Sequence, residues 1–384
     1  MSFFYTLLAT LLYLVALPVL LYLRFKPKYK DSIPARFFLK NNHSFGVRDG
    51  IWFHACSLGE VRSLKPLMEA LSQEPLCLSV ITQTGYAEAQ RYKQVQVRYL
   101  PYEIFLPFWI QKQRTVVVME AELWPLLFVV AKAKGTKTIL LNARISDRSY
   151  DSYKRFAWVY RWIFAHVDVV FAQSDKDKQR LEFLGARHVV VGGNIKPLQR
   201  YEVSKVYQKK PHRRVVVLAS THEKEEALLL DALTFEKNDQ IIVVPRHPER
   251  FGLVDALLAS YAFDRNLRYV KLSQEDAMDA DIILCDTIGE LINVYAIADI
   301  VILGGSFVEG IGGHNPLEPA FFKTKIISGP YIFNQHVLFD LVENIVTCKA
   351  EEIGNIFNKA HLLLPSAMKH QGEIEPILNE IVGY

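Results

Sequence analysis

The chain has 384 residues, of which half are hydrophobic and 22% are charged, so it is a folded protein large enough for two domains and not a disordered one. The formal net charge is +4, and six Lys and Arg residues stand against one Asp between Arg24 and Lys40, which leaves the remainder close to neutral. Because a nucleic-acid binder usually carries a broader basic face, this distribution disfavours a nucleic-acid partner.

The first 23 residues, MSFFYTLLATLLYLVALPVLLYL, contain no charged side chain, and a basic cluster follows them. A segment of this length can cross a bilayer or lie deep in one leaflet. A cleaved signal peptide would instead have a basic start and a small-residue cleavage site. We therefore predict a membrane anchor and basic collar over residues 1–30, with a buried core helix as the alternative. The positive-inside rule places the rest of the chain in the cytoplasm.

Short β-rich runs alternate with helical stretches from about residue 50 onward. Strands are predicted at 50–55, 77–82, 114–120, 137–143, 167–173 and 188–193, and then at 214–220, 240–246, 268–272, 281–287, 299–305 and 324–330. This alternation is typical of doubly wound α/β units with parallel sheets. We predict Rossmann-like domains at 31–197 and 214–384, joined by a linker at 198–213. The last helix could pack back on the N-terminal domain.

Polar residues follow several predicted strands of the N-terminal half. In FHACSLGEVRSLKP (53–66), Glu60 lies directly after a glycine turn, near the start of a helix, where a carboxylate facing a cleft could act as a general base. The helix dipole lowers the pKa of such a group, so a useful base needs some desolvation. Glu122 and Arg144 follow later strands in polar runs that could be binding loops or solvated helix faces. His54 and Cys56 are predicted to be packed strand residues.

The stretch SFVEGIGGHNPLEPA (306–320) places several glycines before a predicted helix. Asn315 is a good N-cap, Pro316 suits the first helical turn, and Glu318 completes a capping box. The glycines would bring the loop to a helix N-terminus, where free N–H groups attract an anion such as phosphate. The alternative is that Glu318 only caps and His314 only packs.

A second strand–turn–helix segment is CDTIGELINVYAIAD (285–299), in which Asp286 or Thr287 caps a helix that starts with Ile288, Gly289 and Glu290. It would supply another set of exposed backbone amides at the carboxyl end of a strand. Two such termini in one domain favour an anionic ligand.

Two more strand ends in the C-terminal half carry polar residues. Arg246 follows a buried strand in VVPRHPERF, where its guanidinium could bind a phosphate or form a surface salt bridge. Ser220, Thr221 and His222 end the first strand of this half, and Thr221 is a candidate cap of the next helix.

No segment matches the P-loop pattern, and the four cysteines lack CxxC spacing. An ATPase, a zinc knuckle and a disulfide framework are therefore disfavoured. We predict buried thiols in a reducing compartment, no metal and no other cofactor.

Together, the motifs HACSLGE, MEAELWP, LNARISDRS, GGNIKP, ASTHEKEE, VPRHPERF, DTIGELINVYAIAD and GGHNPLEPA closely resemble the 3-deoxy-D-manno-octulosonic acid (Kdo) transferases of lipopolysaccharide assembly, glycosyltransferase family 30. The resemblance implies a GT-B fold, in which two Rossmann-like domains face each other across a cleft. It implies CMP-Kdo as the donor, a lipid A precursor (lipid IVA) as the acceptor, and the bacterial inner membrane as the location. In one departure, Leu198 and Gln199 follow GGNIKP in place of the usual aromatic–acidic pair.

By the same resemblance, Glu60 is the general base of an inverting transfer. The CMP of the donor would be held by Pro245, Arg246, Ile288, Gly289, Glu290, Asn315, Pro316, Leu317 and Glu318. Ser220, Thr221, His222, Lys196, Glu122 and Arg144 are additional candidates. The alternatives are another GT-B enzyme, either a nucleotide-sugar epimerase or a different membrane glycosyltransferase, and a non-catalytic scaffold that binds nucleotide or lipid.

Overall fold

The computed structural model describes residues 1–120, 122–275, 278–369 and 373–383. The helices are α1 Ser2–Leu23, α2 Ser32–Phe38, α3 Leu58–Ala70, α4 Gln83–Ala89, α5 Leu106–Trp109, α6 Pro125–Ala133, α7 Asp147–Arg155, α8 Ala157–Phe164, α9 Asp175–Phe183, α10 Glu225–Ala232, α11 Phe251–Arg265, α12 Leu291–Tyr295, α13 Leu317–Phe321, α14 His336–Phe339, α15 Ile353–Asn358 and α16 Ile374–Val382. The strands are β1 Ile51–Ala55, β2 Leu76–Val80, β3 Val95–Tyr99, β4 Thr115–Met119, β5 Lys137–Ala143, β6 Val169–Ala172, β7 Val189–Val191, β8 Arg214–Thr221, β9 Asp239–Pro245, β10 Tyr269–Lys271, β11 Ile282–Leu284, β12 Ile300–Leu303, β13 Lys325–Ser328, β14 Val342–Glu343, β15 Ile345–Thr347 and β16 Ala367–Met368.

Two compact units divide the chain: unit 1 is Met1–Gln199 with Gln371–Tyr384, and unit 2 is Arg200–His370. Unit 1 contains a sheet of order β3-β2-β1-β4-β5-β6-β7, and unit 2 one of order β10-β11-β9-β8-β12-β13-β15. The strands of both sheets pair in parallel, so their carboxyl ends meet at one edge of each sheet. In open parallel sheets this edge is where ligands bind.

The central strands are buried along their whole length because helices cover both faces of each sheet. Every residue of β1, β2 and β4 is buried, as is every residue of β9 and β12. Each predicted strand overlaps one of the structure. Four strands were missed. β3 and β15 are edge strands in which half-buried or exposed residues outnumber buried ones, and β14 and β16 are two-residue strands that pair only with each other.

The last helix, α16, belongs to the core of unit 1. Ile377 and Ile381 are completely buried there. The Thr115 hydroxyl donates to the carbonyl oxygen of Ile381 at 2.8 Å, and Lys137 Nζ lies 2.7 Å from Glu380 Oε1. The segment that completes unit 1 therefore follows the whole of unit 2 in the sequence.

The stretch predicted as a linker is packed on unit 2 from residue 200 onward. Tyr201 and Tyr207 are buried, and the Asn293 side-chain oxygen accepts hydrogen bonds from the backbone N–H groups of Ser204 and Lys205. The boundary between the units falls at Gln199 and Arg200 because these tyrosines supply apolar surface that the polar pattern of the segment concealed.

Helix α1 is attached to unit 1 along one side and exposed along the other. The Tyr5 hydroxyl donates to the Glu103 carboxylate, the Tyr13 hydroxyl donates to the carbonyl oxygen of Phe37 at 2.7 Å, and Ala9 is buried. Only 11% of its most apolar 18-residue window is buried, so the alternative of a core helix is wrong. The helix is long and apolar enough to cross a bilayer, with a mean hydropathy of 2.3.

Candidate active site

In unit 2, the carboxyl ends of β11, β9, β8 and β12 lie side by side and carry the predicted donor-binding residues. Pro245 is buried at the end of β9, and Arg246 is exposed immediately after it, with its backbone N–H bonded to the carbonyl oxygen of Thr221 at 3.0 Å. The nearby Arg250 pairs with Glu226, but Arg246 makes no ion pair within the described parts of the chain. The surface-salt-bridge alternative is thus wrong, and the guanidinium is open to a ligand.

A buried carboxylate, Glu225, holds two of these strand ends together. Its oxygens accept hydrogen bonds from four backbone N–H groups: His222 at 2.9 Å, Gly305 at 2.7 Å, Ser306 at 3.1 Å and Phe307 at 3.0 Å. The side chain is completely buried. Glu225 therefore fixes the turn after β8 and the loop after β12 relative to each other.

Three histidines cluster beside Arg246. His222 Nε2 lies 2.8 Å from His314 Nε2, and the ring of His247 stands edge-on to His222. Burial lowers the pKa of His314 to about 4, with smaller contributions from His222 and Arg246. Burial also lowers the pKa of His222, and His247 adds to this effect. Both rings are neutral at pH 7. His314 also packs closely on Gly305, where a Cβ atom would lie 2.8 Å from the ring.

The other residues predicted at the end of β8 are internal to the structure. The Thr221 hydroxyl donates to Glu226 Oε1 at 2.7 Å, and helix α10 begins only at Glu225, so the prediction that Thr221 caps the helix is wrong. Ser220 is buried with a φ of 54°, at an irregularity in the β8–β9 register. Of the three predicted residues, His222 is the one whose side chain faces the cluster.

The segment Ile288–Glu290 precedes its helix and does not start it, since α12 begins at Leu291. Ile288 is 78% exposed, and Gly289 has a φ of 96°, a conformation that favours glycine. Glu290 Oε2 accepts hydrogen bonds from the Tyr207 hydroxyl and from Asn293 Nδ2, each at 2.8 Å. The Glu290 carboxylate is thus held in place by two neighbours within unit 2.

The segment Asn315–Glu318 leads into α13, which begins at Leu317, one residue later than predicted. Asn315 Oδ1 accepts a hydrogen bond from the Leu317 N–H at 3.0 Å, and Asn315 Nδ2 donates to Glu318 Oε1 at 3.4 Å. Pro316 occupies the N-cap position. In a capping box, the Glu318 carboxylate would accept a hydrogen bond from the backbone N–H of Asn315. Here it accepts from the Asn315 side chain, so the segment is not a capping box.

In unit 1, Glu60 lies in the first turn of α3, at the carboxyl end of β1, and is 8% exposed. Its Oε2 accepts from the Cys56 N–H at 2.8 Å, and its Oε1 accepts from the Ser57 hydroxyl at 2.7 Å. Burial raises the pKa of Glu60, these two hydrogen bonds oppose the rise, and the carboxylates of Glu120 and Glu122 add to it. The desolvation that a base at this position needs is therefore present.

The neighbouring strand ends of unit 1 bring the remaining predicted residues to the same edge. Lys196 Nζ lies 2.7 Å from Glu120 Oε1, an acidic residue with a φ of 56° that follows β4. Burial raises the pKa of the Cys56 thiol, and the half-buried Glu122 is close enough to add to this rise. Arg144 is exposed directly after β5. Glu60, Glu120, Glu122 and Lys196 thus form one polar group.

A buried cation that was not predicted lies next to this group. Burial lowers the pKa of Arg36, on α2, to about 10, and Arg36 interacts electrostatically with Cys56 and Glu122. Its Nε donates to the carbonyl oxygen of Leu100 at 3.0 Å. In the sequence, Arg36 could not be distinguished from the other charges of the basic cluster between Arg24 and Lys40.

His54 is completely buried in β1, as predicted, and burial lowers its pKa to about 3. Cys56 is half-buried and lies beyond the end of β1, so its assignment to the strand was wrong. All four cysteines are free thiols, and the other three are buried. Across the described residues, no group of three or more His, Cys, Asp and Glu side chains could hold a metal ion. The absence of a metal requirement stays a prediction.

Comparison with known proteins identifies the family. A family model described as 3-deoxy-D-manno-octulosonic-acid transferase (kdotransferase) matches residues 31–199. A 3-deoxy-D-manno-octulosonic acid transferase of Bordetella pertussis is 34% identical over 314 residues, which cover 74% of this chain and 72% of that protein. The chain belongs to the Kdo transferase family. A bifunctional glycosyltransferase/methyltransferase of Fusobacterium nucleatum is 34% identical over 327 residues. The match covers 78% of this chain but only 49% of that relative.

A solved structure supports the fold of this Kdo transferase family member. UDP-GlcNAc 2-epimerase from Neisseria meningitidis bound to UDP-GlcNAc matches with a TM-score of 0.53 at 11% identity, over 81% of this chain and 90% of that one. At this identity the match shows the fold alone. The predicted α/β class of GT-B type, with an apolar N-terminal helix, is confirmed.

Proposed function

We propose that the chain transfers Kdo from CMP-Kdo to a hydroxyl group of a lipid A precursor, lipid IVA, with inversion at the anomeric carbon and with Glu60 as the general base. The observation that carries this proposal is the Glu60 carboxylate, buried at the carboxyl edge of the unit 1 sheet with a raised pKa. Membership of the Kdo transferase family supports the donor and the acceptor.

In the proposed reaction, Glu60 takes the proton of the acceptor hydroxyl group. At the same time, the oxygen of that hydroxyl attacks the anomeric carbon of Kdo. The bond from that carbon to the phosphate oxygen breaks, and CMP leaves with the bonding electrons. The Ser57 hydroxyl and the Cys56 N–H orient the carboxylate. Burial makes Glu60 a stronger base than an exposed glutamate, because a desolvated carboxylate holds a proton more tightly.

Unit 2 would bind the donor and stabilise the leaving phosphate. Arg246 supplies an exposed guanidinium without an internal partner among the described residues, and the Asn315–Glu318 and Ile288–Glu290 segments frame the same edge of the sheet. Groups held in place before the reaction lower the cost of developing negative charge on the leaving group. Glu225 fixes the loop that leads toward Asn315 and so prepares this environment.

Mass spectrometry of the products formed from CMP-Kdo and a tetraacylated lipid A precursor tests donor, acceptor and number of transfers together. A mass increase of one or more Kdo residues is the expected result. Turnover with a UDP-sugar and none with CMP-Kdo would contradict the proposal in favour of a different GT-B enzyme. Absence of turnover with every donor would favour a binding scaffold.

Replacing Arg246 by alanine is expected to weaken CMP binding by roughly 10- to 100-fold, because hydrogen bonds to a charged group contribute about 1.5–3 kcal/mol. Stability should be nearly unchanged, since the side chain is exposed. Arg246→Lys should recover only part of the affinity, because it lacks the planar fork of donors. Isothermal titration calorimetry with CMP measures both variants. Arg265→Ala, at the end of α11, is the control, and equal CMP affinity in Arg246→Ala would remove this residue from the donor site.

We further propose that α1 holds the enzyme on the cytoplasmic face of the inner membrane by lying in the bilayer surface. A 22-residue helix is about 33 Å long and could span. However, its contacts with unit 1 extend from Tyr5 through Tyr13, so a spanning α1 would carry part of unit 1 into the hydrocarbon. An in-plane helix keeps unit 1 in water and turns the exposed apolar side toward lipid.

Three substitutions on the exposed side of α1, Leu8→Glu, Leu11→Glu and Val15→Glu, are expected to release the protein from lipid vesicles. These side chains are 53–77% exposed. Each loses about 1.5–3 kcal/mol of apolar burial, so membrane partitioning should fall by more than about 10³-fold. Vesicle flotation measures the bound fraction. The matched control places glutamates at Leu253, Phe263 and Leu362, exposed residues of unit 2. Equal loss of binding in the control would contradict a role specific to α1.

A further inference from the structure

A pair of histidines, His222 and His314, lies at the carboxyl edge of the unit 2 sheet. Their Nε2 atoms are 2.8 Å apart, and an angle of 15° separates the planes of the two rings. Imidazole nitrogens at this distance share a hydrogen, which one ring donates and the other accepts. The outer nitrogen of each ring, Nδ1, has no hydrogen-bond partner within the described parts of the chain. These two outer nitrogens are therefore the atoms that a ligand could meet.

The chain brings both histidines to the position of the exposed Arg246. The last residues of β8 and β9 are register partners, so His222 and Arg246, which follow them, lie side by side. The Gly313 N–H donates to the carbonyl oxygen of Gly305 at 2.7 Å, and this contact returns the neighbouring His314 to the end of β12. Both histidines are half-buried, so each is held in place and still has a side open to a ligand.

The charged groups that face the pair favour its neutral form. Burial lowers the pKa of both histidines, and Arg246 and His247, in the turn after β9, lower it further. Arg250 adds to this effect on His222, and Glu226 on α10 opposes it. The Glu226 carboxylate is itself paired with Arg250. A negative ligand beside Arg246 would offset the surrounding positive charge, so the pKa of the pair would rise when that ligand binds.

One added proton changes what the pair can bind. The neutral pair has a single N–H directed outward, because one of its two hydrogens lies between the rings. With one more proton, both outer nitrogens carry an N–H and the pair has a positive charge. The nearby carboxylate of Glu225 is already bonded to four backbone N–H groups, including that of His222. The negative charge that stabilises the protonated pair would therefore come from a ligand.

We propose that the pair takes up one proton from the solvent and binds the carboxylate of an acidic sugar whose phosphate contacts Arg246. This inference rests on the proposed function, which makes CMP-Kdo the donor. In that donor the carboxyl group and the phosphate oxygen are bonded to the same carbon, so two anionic groups arrive together. The Arg246 guanidinium binds one of them bidentately, and the two outer N–H groups of the pair bind the other. The pair thus selects an acidic sugar over a neutral one.

Isothermal titration calorimetry of the full chain in neutral detergent tests the proposal with two stable esters of CMP. The methyl ester carries only the charge of the phosphate diester. The carboxymethyl ester adds a carboxylate on the carbon that bears the phosphate oxygen, which is the arrangement in CMP-Kdo. Neither the diester nor the carboxylate titrates near neutral pH, so a proton taken up there during binding goes to the protein.

The unaltered chain should bind the carboxymethyl ester about tenfold more tightly than the methyl ester, since charge-assisted hydrogen bonds contribute this much. Heats measured in two buffers that differ in ionisation enthalpy should show an uptake of roughly half a proton or more with the carboxymethyl ester, and less with the methyl ester. Because the pKa of the pair is higher in the complex, the preference should decline from about pH 6 to about pH 8. Equal affinity for the two esters, or equal proton uptake with both, would overturn the proposal.

The double variant His222→Gln, His314→Gln should lose both the preference and the proton uptake, because glutamine is polar but takes up no proton. Its affinity for the methyl ester should stay close to that of the unaltered chain, which also shows that unit 2 is folded. His222→Gln alone leaves His314 packed on Gly305, and it should lose most of the preference.

The matched control is the double variant His188→Gln, His361→Gln, which makes the same change at two exposed histidines. It should keep the preference and the proton uptake of the unaltered chain. A preference retained by His222→Gln, His314→Gln, or an equal loss in the control, would contradict a role for the pair.

These outcomes are separate from those of the transfer assay. A chain that transfers Kdo but binds the two esters equally would refute the proposal for the histidine pair alone. A chain that prefers the carboxymethyl ester and takes up a proton with it, but transfers no Kdo, would refute the proposed function alone.

Discussion

Replacing Glu60 by glutamine is expected to lower the rate of Kdo transfer by roughly 10²–10⁴-fold, the usual contribution of a positioned general base, while CMP binding is unchanged. Glutamine keeps the size of the side chain and can still accept one of the two hydrogen bonds from Cys56 and Ser57. It cannot take a proton. Single-turnover kinetics with a saturating donor, together with calorimetry of CMP binding, measures the two effects separately.

Glu60 also accepts a hydrogen bond from Ser57, the N-cap residue of α3, so the loss of this support for the cap has to be separated from the loss of a base. Helix α9 provides the control, because Asp177 accepts from the hydroxyl of its N-cap Ser174 and from the N–H of Ile145, as Glu60 does from Ser57 and Cys56. Asp177→Asn and Glu60→Gln should each destabilise unit 1 by about 1 kcal/mol. Only Glu60→Gln should lower the transfer rate strongly, and normal turnover in that variant would leave Glu60 only a structural role beside the N-cap Ser57.

The pH dependence of transfer provides a further test of the same residue. The base acts only when it is deprotonated, so the rate should rise with pH through the pKa of Glu60. Because burial raises this pKa, the rise should lie at higher pH than for an exposed glutamate. The profile of Glu60→Gln should lack this rise over the range in which the unaltered enzyme shows it.

Replacing Glu225 by glutamine is expected to destabilise unit 2 by about 2–4 kcal/mol and to weaken CMP binding as well. The carboxylate accepts hydrogen bonds from four backbone N–H groups, three of them buried, and a glutamine amide would turn an NH₂ group toward some of these donors. Buried donors left without an acceptor cost about 1–3 kcal/mol each, partly recovered by relaxation. Urea unfolding gives the stability, and CMP calorimetry the affinity.

Glu236→Gln is the matched control for this change. Glu236 lies in the same unit, is 73% exposed in its side chain, and is 3.8 Å from Arg214. A surface pair of this kind contributes about 0–1 kcal/mol, so the control should unfold almost as the unaltered protein does. If Glu225→Gln were as stable as Glu236→Gln, the four hydrogen bonds would not be what connects the turn after β8 to the loop after β12.

The sequence was sufficient to predict the buried strands, because β1, β4, β8 and β9 are apolar runs whose hydrophobicity exceeds any competing signal. It was insufficient for two of the four edge strands of the seven-stranded sheets, β3 and β15. In β3, Gln96 and Arg98 alternate with apolar residues, and such a segment becomes a strand only because β2 is there to pair with it. Pairing between distant segments leaves little trace in local composition.

The site was predictable to the same extent. Arg246 could be found because it directly follows a buried strand, and Glu60 because it follows the glycine turn after one. The roles of Thr221 and Glu225 could not be assigned, since Thr221 binds Glu226 and Glu225 binds a loop some 80 residues away in the chain. Helix starts were placed early at α12 and α13 because the preceding glycine and proline turns resemble caps. Local sequence identifies a turn but not the residue at which hydrogen bonding begins.

The return of α16 to unit 1 has a consequence for how this protein is made. A ribosome finishes Arg200–His370 before it adds the segment that contains Ile377 and Ile381, which fill the interior of the N-terminal half. All residues of unit 2 are therefore synthesised before unit 1 is complete. Until translation reaches the end of α16, unit 1 has an unfilled apolar site beside Thr115. During that interval, the nascent chain exposes this gap to chaperones and to other nascent chains.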